Sequence, residues 1–134
     1  MNISSFNDLI MASQMQTDPQ RLLFVFTGVE LPDDSTLEQR AGFDAGEGGA
    51  LVPLMCVDKS PSEIVNFKAL VEEASTLAQP WRIVFVAALS GIRGVSPNSA
   101  EAKIPLQRME EAIRQGNFAN FIPFDRQGQT VMFG

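Results

Sequence analysis

Histidine and tyrosine are both missing from the 134 residues, and cysteine occurs once, as Cys56. Without histidine there is no Ser-His-Asp or Cys-His catalysis and no imidazole-ligated metal. A lone thiol cannot close an internal disulfide, which excludes a secreted, disulfide-stapled design. A zinc site would have to be assembled from carboxylates and one thiol, an unusual set. Any proton transfer falls to Asp, Glu, Lys or Cys56. Basic residues are also short, 10 Lys and Arg against 16 Asp and Glu, for a net charge of −6. Affinity for phosphate backbones comes mainly from Lys and Arg, so nucleic acid is not the expected partner. The same balance argues against docking on anionic membranes. No apolar run approaches the ~20 residues that span a bilayer, and no basic segment precedes a long apolar run at the N-terminus. These absences lead to the expectation of a cytoplasmic protein with no catalytic residues, no metal and no cofactor.

Hydrophobic residues make up 45% of the chain and charged residues 19%. That composition suits one core and one domain, expected over residues 1–134. The organising stretch is Ile83-Val84-Phe85-Val86-Ala87-Ala88-Leu89, preceded by Pro80 and closed by Ser90-Gly91. A continuous apolar run this short reads as a strand buried on both faces. Leu22-Leu23-Phe24-Val25-Phe26, closed by Thr27-Gly28, reads the same way. The run Ala50–Val57 is a third strand; Pro53 in its middle cannot donate a ladder hydrogen bond, which predicts a sheet edge or a bulge. Cys56 lies in that run between Met55 and Val57. Burial and the neighbouring Asp58 raise a thiol's pKa, while Lys59 lowers it, and the balance predicts an inert cysteine.

Helices are expected between the strands. Residues 4–16 carry a Ser4 or Ser5 cap, Asp8 in the first turn and an apolar side of Phe6, Leu9 and Ile10, which Met15 could extend. Ser35-Thr36-Leu37-Glu38 has capping-box spacing inside the acidic stretch 30–47 and predicts a short helix with a solvated face. Ser60-Pro61-Ser62-Glu63 combines a capping box with a proline at the first helical position. An apolar stripe of Ile64, Phe67, Leu70, Val71, Ala74, Leu77 and Ala78 follows it. Asn98-Ser99-Ala100-Glu101 caps a last helix that either starts near Pro105 or kinks there. Phe118–Phe124 and Gln129–Phe133 flank Asp125-Arg126-Gln127-Gly128 and read as a hairpin.

The resulting order is α-β-α-β-α-β-α-β-β. It predicts a single-domain α/β fold with a mixed sheet: mainly parallel central strands, helices on both faces and an antiparallel C-terminal hairpin. Ligands of such sheets bind beyond the carboxyl ends of the strands. If the two buried strands are neighbours, Thr27, Gly28, Ser90, Gly91, Arg93 and Gly94 converge there. Amides and an arginine ahead of a helix could then hold a phosphate or carboxylate. The stretch is neither a Walker loop nor G-x-G-x-x-G, and a surface turn carrying an arginine competes with the ligand site. The uncharged segment Thr130-Val131-Met132-Phe133 is an expected interaction edge, open to a protein partner or to homodimerisation.

Several stretches also carry a resemblance. Arg21–Phe26, Gly48–Lys59, Ile83–Gly91, Pro105-Leu106-Gln107-Arg108-Met109 and Phe124–Gly128 together resemble a family of small proteobacterial proteins often labelled "ribonucleotide reductase subunit alpha". The likeness extends over nearly the whole chain. Reductase chemistry needs several cysteines for radical transfer and substrate reduction, and Cys56 alone supplies no redox pair. The resemblance therefore implies a bacterial cytoplasmic protein and carries over no activity and no catalytic residue. The leading expectation is a non-catalytic protein that acts by binding another protein or itself. The alternative is a binder of a small anionic ligand, or an enzyme acting on one, at the strand ends.

Overall fold

The computed structural model describes residues 3, 5–30, 36–38, 41, 50–64, 66–75 and 81–131. Helix α1 spans Phe6–Gln14, strand β1 Gln20–Glu30, and strand β2 Ala50–Lys59. A 3-10 turn, Pro61–Glu63, leads to helix α2, Phe67–Ala74. Strand β3 is Ile83–Ser90, helix α3 Ser99–Arg114, and strand β4 Ile122–Phe124. Of the acidic stretch, only Glu30, Thr36, Leu37, Glu38 and Ala41 are described, so most of the helix expected there lies outside the described residues.

The four strands form one sheet in the order β2-β1-β3-β4, and each neighbouring pair is antiparallel. This overturns the expected parallel centre. Both β2 and β3 run against β1, so they are parallel to each other, yet β1 lies between them. Alternating elements signal a crossover from β2 through α2 to β3. They do not signal that an earlier strand occupies the gap. The strand that does so is the most uniformly buried one: Leu22, Leu23, Phe24, Val25 and Phe26 are all 3% exposed or less. The C-terminal hairpin is also reduced. Strand β4 is three residues long; past the Asp125–Gly128 turn the described residues make only isolated bridges, Gln129 to Ser5 and Thr130 to Phe124. The Val131 amide then donates to the Pro123 carbonyl at 3.0 Å.

Period-two alternation sends successive strand residues to opposite faces. Leu22, Phe24, Phe26, Val84, Val86 and Phe124 meet Phe6 and Leu9 of α1, Leu70 and Ala74 of α2, and Trp81. Leu23, Val25 and Phe85 meet Ala102, Met109 and Ile113 of α3 on the other side. The first face is rich in rings: Phe6 lies 4.9 Å from Phe67 and 5.6 Å from Phe124, and Phe26 packs edge-on against Trp81 at 5.1 Å. Pro53 meets both expectations for it, since β2 is an edge strand and its register with β1 slips between Phe26 and Thr27, opposite Met55 and Pro53.

Helix starts follow their caps, with one exception. The Ser5 hydroxyl accepts from the Asp8 amide and the Asp8 carboxylate accepts from the Ser5 amide, closing a reciprocal box at α1. Asn98 and Glu101 do the same for α3. That helix runs through Pro105, which forgoes one intrahelical bond. The Ser60–Glu63 box, by contrast, caps only the 3-10 turn. Ile64 is extended, and α2 starts afresh from Asn66, whose Oδ1 accepts from the Ala69 amide at 2.8 Å. A second good cap six residues on took over from the first.

Candidate functional site

Antiparallel pairing decides where the expected ligand residues fall. Gln20 pairs with Ser90 and Thr27 with Ile83. Thr27 and Ser90 therefore stand at opposite ends of the sheet, seven β1 residues apart, or about 24 Å at ~3.4 Å each. The proposed convergence of Thr27, Ser90 and Arg93 does not occur. Thr27 is fully buried, and its hydroxyl donates to the Ile83 carbonyl at 2.8 Å. Gly28 is buried too, paired with Val52. Neither presents a group to a ligand.

Ser90, Gly91, Arg93 and Gly94 do stay together, and they build a different object. The Ile92 amide donates to Val95 at 3.1 Å and the Val95 amide to Ile92 at 3.0 Å. Between them, Arg93 (φ 54°) and Gly94 (φ 78°) both take positive φ. Two positive-φ residues closing a narrow pair are the mark of a type I′ hairpin turn. The turn is braced from below. The Gly91 amide donates to the Pro19 carbonyl at 2.8 Å, and the Gly94 amide reaches Asp18 Oδ1 at 3.4 Å. Ser90 is held sideways by the Gln20 carboxamide, 2.9 Å from Nε2 and 3.2 Å from Oε1.

The two residues that flank this turn are apolar and wet: Ile92 is 73% exposed and Val95 69%. They border an open groove of about 250 Å³ that Leu89 and Pro97 also line, with Ser90, Ser96 and Glu101 as its polar members. A sequence signal for the turn exists, since two β-branched residues flank x-Gly in Ile92-Arg93-Gly94-Val95. It is hidden by the more obvious turn formers around it.

Sequence reasoning also missed a charged cluster at the start of α3. Arg21 Nε donates to Asp58 Oδ2 at 2.5 Å, and its terminal nitrogen donates to Ser99 Oγ at 2.7 Å. Ser99 in turn donates to Asp58 Oδ2 at 2.7 Å. Burial pushes the Asp58 carboxyl up, but the Ser99 and Arg21 bonds outweigh it and hold the pKa below the usual range. Every member already has a partner here, so the cluster ties β1, β2 and α3 together and offers no open valence for chemistry. Cys56 Sγ lies 3.5 Å from Glu110 Oε2. Burial first, and the Glu110 charge second, push its thiol up to about 12.

Of the expected interaction edge, Thr130 and Val131 are paired onto β4 as described above, and Met132 and Phe133 lie outside the described residues. Among the described residues no group of three or more His, Cys, Asp or Glu gathers as metal ligands, and no helix is long and apolar enough to cross a membrane. No protein-family model, curated protein or solved structure matches the chain. The functional reading therefore rests on the geometry of this molecule.

Proposed function

We propose that the chain is a non-catalytic cytoplasmic protein that binds another protein, or a second copy of itself, through the Ile92–Val95 hairpin tip. The observation that carries this reading is a pair of branched apolar side chains, about seven-tenths exposed, on a turn fixed by three backbone hydrogen bonds and a fourth from the Gly94 amide to the Asp18 carboxylate. Exposed apolar side chains scattered singly are ordinary. A rigid pair beside a groove is less so, because a preformed tip loses little entropy when it docks. Fully burying a Val or Ile side chain contributes about 1.5–3 kcal/mol. The two together supply only part of a stable interface, and the groove and the Arg93 guanidinium between them extend it.

The test combines two measurements on the full chain. Light scattering on a sizing column reads self-association, and pull-down from source cells compares the parent with an Ile92→Asp/Val95→Asp variant. The reading expects a dimer that the variant abolishes, or a captured protein that the variant fails to capture. A strict monomer that retains nothing beyond what the variant retains sinks it.

A further inference from the structure

A second surface lies by the first turn of α1, at the opposite end of that helix from the tip. An open groove of about 460 Å³ runs between α1, α2 and the Asp125–Gly128 turn. Lys68 and Arg126 line it, together with the amides of Asn7 and Gln127 and the apolar side chains of Phe67 and Val71. We propose that this groove binds a small organic anion. Its phosphate or carboxylate head is shared by Lys68 and Arg126, and its apolar body lies against Phe67 and Val71.

The argument starts from charge. The chain carries six more acids than bases, yet among the described residues no carboxylate lines this groove. Among the described residues neither Lys68 nor Arg126 enters an ion pair, whereas Arg21, Lys59 and Arg114 all do. The nearest acid along the turn is committed elsewhere: Asp125 Oδ1 accepts from the Gln127 amide at 2.8 Å and the Gln129 amide at 3.0 Å. Two cations sharing a concave surface repel one another unless an anion joins them, and a guanidinium fork matches a carboxylate or phosphate edge.

Preorganisation is the second part. Arg126 sits 5.8 Å from the Trp81 ring centroid, a cation–π contact with a buried ring that limits where the guanidinium can go. Phe67 is fixed by Phe6 at 4.9 Å and by Trp81 at 6.4 Å. The turn is pinned to α1 by the bond from the Phe6 amide to the Gly128 carbonyl at 2.8 Å. A volume of this size falls within the range of small-molecule sites, and two apolar side chains, Phe67 and Val71, lie among five polar ones in its lining. Because the groove is open to water, affinity should be modest and should fall with salt.

Trp81 is the only tryptophan, so its emission reports on Arg126. The probes are phenyl phosphate, benzoate, inorganic phosphate and the neutral benzyl alcohol, titrated into the ¹⁵N-labelled full chain at low salt. The proposal expects saturable shifts for phenyl phosphate or benzoate that centre on Phe67, Lys68, Arg126 and Gln127, with a concurrent change in Trp81 emission. Whichever of the two binds identifies the head group. Inorganic phosphate should bind at least tenfold more weakly, and benzyl alcohol should leave these amides unmoved. Lys68→Gln and Arg126→Gln should each weaken binding about tenfold while melting near the parent. Three results overturn the proposal: no saturable shift at the groove, shifts of equal size around Arg82, Arg93, Lys103 and Arg108, or unchanged binding in the double variant. The first and third of these leave the hairpin tip untouched, because it is tested with Ile92 and Val95.

Discussion

Replacing Gly91 with alanine should damage the hairpin tip more than any other single methyl added there. A Cβ at position 91 would overlap the Val95 carbonyl oxygen and stand 2.9 Å from the Pro19 carbonyl oxygen. Both obstacles are backbone, so neither can rotate out of the way. Relief requires pulling the turn off β1, which breaks the Gly91–Pro19 bond and loosens the two bonds between Ile92 and Val95. At about 0.5–1.5 kcal/mol per hydrogen bond, the loss is about 2–4 kcal/mol. For a domain of this size that lowers Tm by roughly 8–15 °C. Gly94→Ala is the internal control. Nothing lies within 4 Å of its added Cβ, so its cost is confined to the left-handed backbone, about 1–2 kcal/mol. Thermal melts should therefore rank the parent above Gly94→Ala and Gly94→Ala above Gly91→Ala, and amide exchange should show Ile92 and Val95 losing protection in the last. A Gly91→Ala protein that melts within about 2 °C of the parent would refute the close approach on which the tip depends.

Other expectations can be checked alongside. Phe24→Ala empties a fully buried site at the ring cluster and should cost about 3–5 kcal/mol by urea titration. Arg21→Ala leaves Asp58, only 18% exposed, without its cation and should cost about 2–4 kcal/mol. Folding lowers the Asp58 pKa, so its stabilisation is present at neutral pH and is lost as pH falls from about 4 downward. Asp58→Asn should flatten that acid limb in pH-dependent melts. The Cys56 thiol, pushed up to about 12, should resist a disulfide exchange reagent at pH 8 in the folded protein and react on unfolding. Because its pKa rises on folding, its contribution is present below about pH 8.5 and is lost as pH climbs toward that value of 12.

How much of this could be read from the residues depends on the scale of the signal. The strands at Leu22–Phe26 and Ile83–Leu89, a cap at Ser4 or Ser5, the Asn98 cap and the dual meaning of Pro53 are local, and local chemistry states them outright; burial on both faces holds for Leu22–Phe26, but in the second run it holds only for Val84, Phe85 and Val86, and Ala88 is exposed. Strand direction is not local. The apolar run of β1 is equally compatible with parallel and antiparallel neighbours, and nothing in β2-α2-β3 announces that β1 fills the space between the strands it joins. That single non-local fact moved Thr27 about 24 Å from Ser90 and dissolved the expected pocket. The groove beside Trp81 was illegible for a related reason: Lys68 and Arg126 are 58 positions apart and line one groove only because α1 draws the Asp125–Gly128 turn against α2.

The most direct test of the account is to record proton–proton contacts across β1 in the folded chain by NMR. The antiparallel register predicts contacts between Gln20 and Ser90, between Phe24 and Val86, and between Thr27 and Ile83. Contacts joining Thr27 to Ser90 would contradict it, restore the parallel centre and remove the footing on which the hairpin tip stands.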